Sequence, residues 1–147
     1  MRKTLSAAAL ALLAACASTT VPDVPGVRVR TDRAVYALPA GGGQPLTVPF
    51  TVQNTTDAAV HVAACGTAAN AVLERQDGGR WLVVSSGFCV ANLDVGPVTL
   101  APGEVLAGMV GVQRVAGTYR IRVPLVEATA ATRSVVSPGF EVRWTDG

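Results

Sequence analysis

An all-β domain, folded as an antiparallel sandwich of about seven to nine strands, is what this sequence predicts. Three observations carry that expectation. From Val27 onward apolar residues recur at every second position, the spacing at which a strand turns one face to a core. No segment beyond residue 26 holds an apolar stripe at helical spacing for three turns, and the Ala-rich residues 128–132 are too few to matter. Turns rich in Gly, Pro, Asn and Asp follow one another at close intervals. A small closed barrel is the rival architecture.

The elements follow in order. Val27 and Val29 alternate with Arg28 and Arg30. Leu46, Val48, Phe50 and Val52 alternate with Pro45, Thr47, Pro49 and Thr51, and Pro49, which lacks an N–H for a ladder, marks an edge or a bulge. Val60 and Val62 flank His61. Residues 71–76 and 80–85 read as a hairpin around Asp77-Gly78-Gly79, since glycine accepts the positive φ of a tight hairpin turn. Residues 105–112 alternate less cleanly. Tyr119, Ile121, Val123 and Leu125 face away from Arg120 and Arg122, and Phe140, Val142 and Trp144 face away from Glu141 and Arg143. That parity assigns Tyr119, Phe140 and Trp144 to the core, with the Tyr119 hydroxyl bonded to backbone as in a tyrosine corner. Trp81, beside the hairpin turn, is left as a candidate binding anchor.

Composition narrows the function classes. Half of the 147 residues are apolar while 15% are charged, so one domain with a substantial core is expected rather than disorder. Arg2 and Lys3 carry the whole of the net charge of +2. The remainder is balanced, which argues against a nucleic-acid binder and against retention on anionic lipid by charge alone.

Arg2 and Lys3 precede an apolar run from Leu5 to Leu13, which is too short to cross a bilayer of about 30 Å. The run ends in Leu13-Ala14-Ala15-Cys16, which resembles the bacterial lipoprotein lipobox. The resemblance implies a signal peptide over residues 1–15, a diacylglycerol thioether on Cys16, cleavage after Ala15 and N-acylation of the new terminus. Ala17 in place of Asp implies the outer membrane by the enterobacterial sorting pattern. Two or three acyl chains suffice for stable anchoring, at about 0.8 kcal/mol per buried methylene. Residues 17–26 are small, polar and Pro-containing, so 16–26 reads as a lipidated tether and 27–147 as the domain.

A second resemblance covers most of that domain. Val52-Gln53-Asn54-Thr55-Thr56, Cys65, Trp81, Cys89, Leu100-Ala101-Pro102-Gly103-Glu104 and Gly117-Thr118-Tyr119-Arg120 resemble, in that order, the bacterial immunoglobulin-like modules of surface lipoproteins. The resemblance implies an immunoglobulin-like sandwich and carries no activity with it. The same outline is similar to a Bacillus intracellular proteinase-inhibitor domain, although no reactive-site segment matches.

With Cys16 assigned to lipid, Cys65 and Cys89 form an even pair in an oxidising compartment, and a structural disulfide is expected between them, two buried thiols or a metal pair being the alternatives. No C-x-x-C spacing or histidine cluster points to a metal, and no cofactor motif is present. His61 is the one histidine, so any acid–base site would centre on it; as a lone imidazole among valines it reads as a surface residue. Ser85 and Ser86 lack a nucleophile-elbow motif, and Gly41-Gly42-Gly43 lacks the lysine and flanking elements of a phosphate loop. Arg28 with Arg30, and Arg120 with Arg122, each share a strand face. Should their strands be neighbours, the four guanidiniums would form an anion-attracting patch. The reading that follows is a non-catalytic, lipid-anchored envelope module that binds an envelope protein and no nucleic acid. Inhibition of an envelope hydrolase and a small-ligand or enzyme site at His61 are the alternatives.

Overall fold

The computed structural model describes residues 26–39, 45–86, 95–127 and 133–145. The expectations for the signal peptide, Cys16, the glycine run at 41–43 and Cys89 fall outside the described residues. Twelve strands and no helix make up the described chain: β1 (Val27–Thr31), β2 (Val35–Leu38), β3 (Leu46–Asn54), β4 (Val60–Cys65), β5 (Ala68–Ala69), β6 (Val72–Asp77), β7 (Arg80–Ser86), β8 (Val95–Leu100), β9 (Val105–Val112), β10 (Gly117–Leu125), β11 (Arg133–Val136) and β12 (Phe140–Trp144).

Two sheets pack as a sandwich. The smaller is β1-β3-β9; the larger runs β2-β12-β10 and continues through β6-β7 and through β4 with β5 and β8. All pairings are antiparallel except one: β2 runs parallel to β12. The strand count exceeds the expected range because single runs are divided. The first run crosses between sheets after Thr31, giving β1 to one and β2 to the other. The last is broken at Ser137, whose backbone N–H donates to the Ile121 carbonyl (2.8 Å) while its Oγ accepts from the Ile121 N–H (2.9 Å). A buried hydroxyl thus keeps the Ile121 peptide satisfied across the break between β11 and β12.

The hairpin turn is as the sequence predicts. Asp77 pairs with Arg80, and both intervening glycines have positive φ, 53° at Gly78 and 80° at Gly79. Pro49 lies in β3, between β1 and β9, yet the β1 ladder has already ended at Thr31–Phe50. Pro49 therefore has a neighbour on one side alone, the local edge that a residue without an N–H needs. Strand β9 alternates buried and exposed positions without a break. Its pattern is hidden in the sequence because Val105, Ala107 and Met109 on the outer face are as apolar as Leu106 and Val110 on the inner one.

The core is formed by the inward residues of both sheets, among them Val48, Phe50, Val52 and Val112 facing Leu73, Ile121, Val123, Phe140 and Val142. Phe50 is paired with Gly108, and its ring occupies the space a β-carbon there would need. Tyr119 stacks on Phe140 (5.9 Å between centroids), and Tyr36 meets Phe140 edge-on (5.4 Å). The Tyr119 hydroxyl donates to the Val115 carbonyl at 2.7 Å, closing the tyrosine corner. Trp144 corrects the parity argument. It is 48% exposed. As the last residue of β12 it lies where the core ends, and its indole carries the Arg114 guanidinium 5.3 Å from the ring centre.

The two sheets are joined at one end by Asn54, which is fully buried. Its Nδ2 donates to the carbonyls of Ala58 (2.7 Å) and Leu100 (2.9 Å), and its Oδ1 accepts from the backbone N–H (2.9 Å) and hydroxyl (2.7 Å) of Thr56. Its backbone reaches the 101–104 turn, accepting from Gly103 N–H (2.9 Å) and donating to the Glu104 carbonyl (3.0 Å). That turn has Pro102 followed by Gly103 at φ 83°, a type II arrangement that needs glycine there. Asn54→Ala removes the buried bond to the Leu100 carbonyl along with those to Ala58 and Thr56 and should cost about 2–4 kcal/mol, against about 1 kcal/mol for Tyr119→Phe. Urea unfolding checks this through the midpoints at constant m; equal, small losses in both variants would contradict it.

Candidate functional site

Outward positions on the larger sheet gather Glu74 and Trp81 from the β6–β7 hairpin with Arg120 and Arg122 from β10. Arg120 lies directly opposite Glu74 in the ladder. Its Nε donates to Glu74 Oε2 at 2.6 Å, and Arg122 Nε donates to Oε1 at 2.7 Å. Trp81 stacks over the Arg120 guanidinium, 4.3 Å from the ring centre. Beneath these groups the Glu74 side chain is 7% exposed, although it stands on the sheet's outer face. Burial, the largest single influence, pushes the Glu74 carboxyl up; hydrogen bonds from Arg122 and Arg120, with their charges, outweigh it and hold the group below the usual carboxylate range. A register shift between Leu73 and Glu74 marks a bulge, and both residues are buried, one on each face.

Beside this cluster, β7 is an edge strand. Among the described residues it pairs with β6 alone, and it exposes Leu82 (44%) on one face and Val83 (57%) on the other.

The outer face of the smaller sheet is different. Its rows run Arg28–Gln53–Val105 and Arg30–Thr51–Ala107, followed by Pro49–Met109. Met109 is 72% exposed and Val105 54%. A cleft of about 510 Å³ opens here, lined by Arg30, Pro49, Phe50, Ala107 and Met109 among others. Its volume lies in the range of small-ligand pockets. Asp32 at its rim is engaged by the Tyr36 hydroxyl and by Arg33 (3.5 Å).

The four arginines do not form one patch. Arg28 and Arg30 lie on the smaller sheet, Arg120 and Arg122 on the larger, so strand adjacency fails and the second pair is committed to Glu74. Two other acids pair locally, Glu127 with Arg133 (3.2 Å) and Glu141 with Arg143 on its own strand. His61 is exposed on β4, with Nδ1 2.9 Å from Thr99 Oγ1, and no hydrogen bond joins it to Ser85 or Ser86. Cys65 ends β4. Among the described residues no three His, Cys, Asp or Glu side chains gather as a metal site. Glu74 escaped sequence reading because its partners lie 46 and 48 residues away; the outward parity of Arg120 and Arg122 was the one available signal. Comparison of the chain with protein-family models and with curated proteins gives no match.

The Glu74 carboxyl titrates below its unfolded value of about 4.3. Its stabilising contribution is therefore complete above that value and is lost as the pH falls through the lower, folded pKa. Glu74→Gln should lower stability at neutral pH by about 1–3 kcal/mol, and the gap to wild type should close in acid. Urea midpoints across pH test it; a gap of constant size from neutral to strongly acidic pH would contradict the assignment.

Proposed function

We propose that the protein is a non-catalytic, lipid-anchored module of the bacterial cell envelope that binds an envelope protein along strand β7. The observation that carries this is an open edge strand with apolar side chains on both faces, set beside a rigid Trp81–Arg120–Glu74–Arg122 cluster. An extended segment adding to β7 would gain main-chain hydrogen bonds from the edge. Its alternate side chains would contact Trp81 and Val83 on one face and Leu82 on the other. Only one nitrogen of each guanidinium is hydrogen-bonded to Glu74, so donors remain for an acidic side chain on that segment.

The Leu13-Ala14-Ala15-Cys16 sequence supports the anchor, with residues 1–15 removed and residues 16–26 as the tether, in the outer membrane. The bacterial immunoglobulin-like resemblance supports the module class, and a Cys65–Cys89 disulfide would tie the end of β4 to the chain leading into β8. The His61 reading has no support from its surroundings. An inhibitory role would use the same edge and differ in the identity of the partner.

In-cell crosslinking of the full chain, followed by detergent purification and mass spectrometry, should recover one stoichiometric envelope protein. Val83→Lys, a charge on an exposed edge position, should reduce that recovery at least tenfold without lowering stability. Undiminished capture by Val83→Lys would refute the β7 assignment, and capture of a protease would establish the inhibitory role. Intact mass of the mature protein after thiol blocking tests the cysteine assignments. The expected species begins at Cys16, carries acyl groups and shows no blocked thiol at Cys65 or Cys89; a chain without acyl groups, or one blocked at both cysteines, contradicts the respective assignment.

A further inference from the structure

We infer that the outer face of the three-stranded sheet is a membrane-seating surface, which lies on the anionic lipid that holds the anchor. The inference rests on the lipid anchor proposed above and adds a fixed orientation to it.

Three features of that face point to lipid. Arg28 and Arg30 are both exposed, and among the described residues neither side chain has a hydrogen bond or ion pair, whereas on the strands of the larger sheet Arg120, Arg122, Arg133 and Arg143 are held by carboxylates and Arg75 and Arg80 are not. Two acids flank these strands and are engaged elsewhere: Asp32 by Tyr36 and Arg33, and Glu104 by the Ala101 backbone N–H (2.7 Å). Two unneutralised guanidiniums in a row along one strand suit the phosphates of a lipid surface.

The second feature is apolar. Val105, Ala107 and Met109 stand outward along β9, the far edge of the same face, and no charged residue occurs between Glu104 and Arg114. Cationic side chains on one margin and exposed aliphatic ones on the other, separated by Gln53, Thr51 and Pro49, make a surface that meets headgroups and acyl boundary together. The cleft beside Phe50 and Met109 adds an apolar recess with Arg30 at its rim.

The third is the tether. Gly26 ends it beside Asn54, its carbonyl accepting from Thr55 N–H (2.7 Å), and Arg28 follows two residues later. The first row of the face, Arg28–Gln53–Val105, is therefore next to the point where the chain arrives from the membrane. A tether of ten residues extends at most roughly 35 Å. Charge and apolar contact need supply no anchoring of their own. They have to choose which side of a leashed domain faces down.

The test uses the full chain with an environment-sensitive fluorophore on Met109→Cys or, on the opposite side of the sandwich, on Val83→Cys. The protein is reconstituted in vesicles of phosphatidylglycerol and phosphatidylcholine whose acyl chains are brominated. The expected result is a blue shift and quenching at position 109 and neither at position 83. Arg28→Gln combined with Arg30→Gln should weaken the quenching at 109, as should vesicles of phosphatidylcholine alone. Equal signals at the two positions, quenching at 83 alone, no quenching at 109, or a response at 109 indifferent to both arginines would overturn the inference. The anchor is read separately, by acyl groups on Cys16; their absence refutes the anchor, while the contrast between 109 and 83 alone decides the face.

Discussion

One buried side-chain amide holds the sandwich to its topology. Asn54 ends β3 in the smaller sheet, yet its donors go to Ala58, just before β4, and to Leu100, the last residue of β8, and both of those strands belong to the larger sheet. All four hydrogen-bonding positions of the amide are used. An aliphatic residue would take away the buried donor to the Leu100 carbonyl, and aspartate offers no donor in its place. The same residue bonds to the Pro102-Gly103 turn that launches β9 and lies beside Gly26. Strand β9, the outer face it completes and the start of β1 all meet at this corner.

The sandwich that results has two dissimilar outer faces. On the larger sheet a carboxylate has been drawn out of water by two arginines and an indole, fixing side chains that would otherwise be mobile. A buried ion pair is weak evidence of net stability, because desolvation offsets much of the attraction. What Glu74 contributes is order: it aligns Arg120 and Arg122 beside an open edge strand, so a ligand meeting them loses less of its binding energy to side-chain ordering. On the smaller sheet the arginines are unpaired and the far margin is aliphatic. One domain thus presents a rigid polar cluster on one side and an adaptable amphipathic surface on the other.

Much of the architecture was legible from period-two alternation, because most strands have one apolar and one polar face. Val27–Thr31, the β6–β7 hairpin with its two glycines, and the Tyr119 hydroxyl all follow the sequence reading. Where both faces are apolar the signal vanishes, as in β9. Trp144 shows that parity assigns a side without assigning depth: at the end of a strand the inward side can be outside the core. The site was less legible than the fold. Side-chain parity placed Arg120 and Arg122 together, but only the three-dimensional pairing of β10 with β6 brings Glu74 between them. Their expected union with Arg28 and Arg30 failed for the same reason, since strand adjacency depends on which sheet each strand joins.

Site-specific photocrosslinking in living cells, from one residue on each outer face, tests the account most directly. A photoreactive side chain at Val83 should trap a protein partner, while one at Val105 should give no protein adduct. A protein adduct from position 105 with none from position 83 would contradict the proposed division of labour between the two faces.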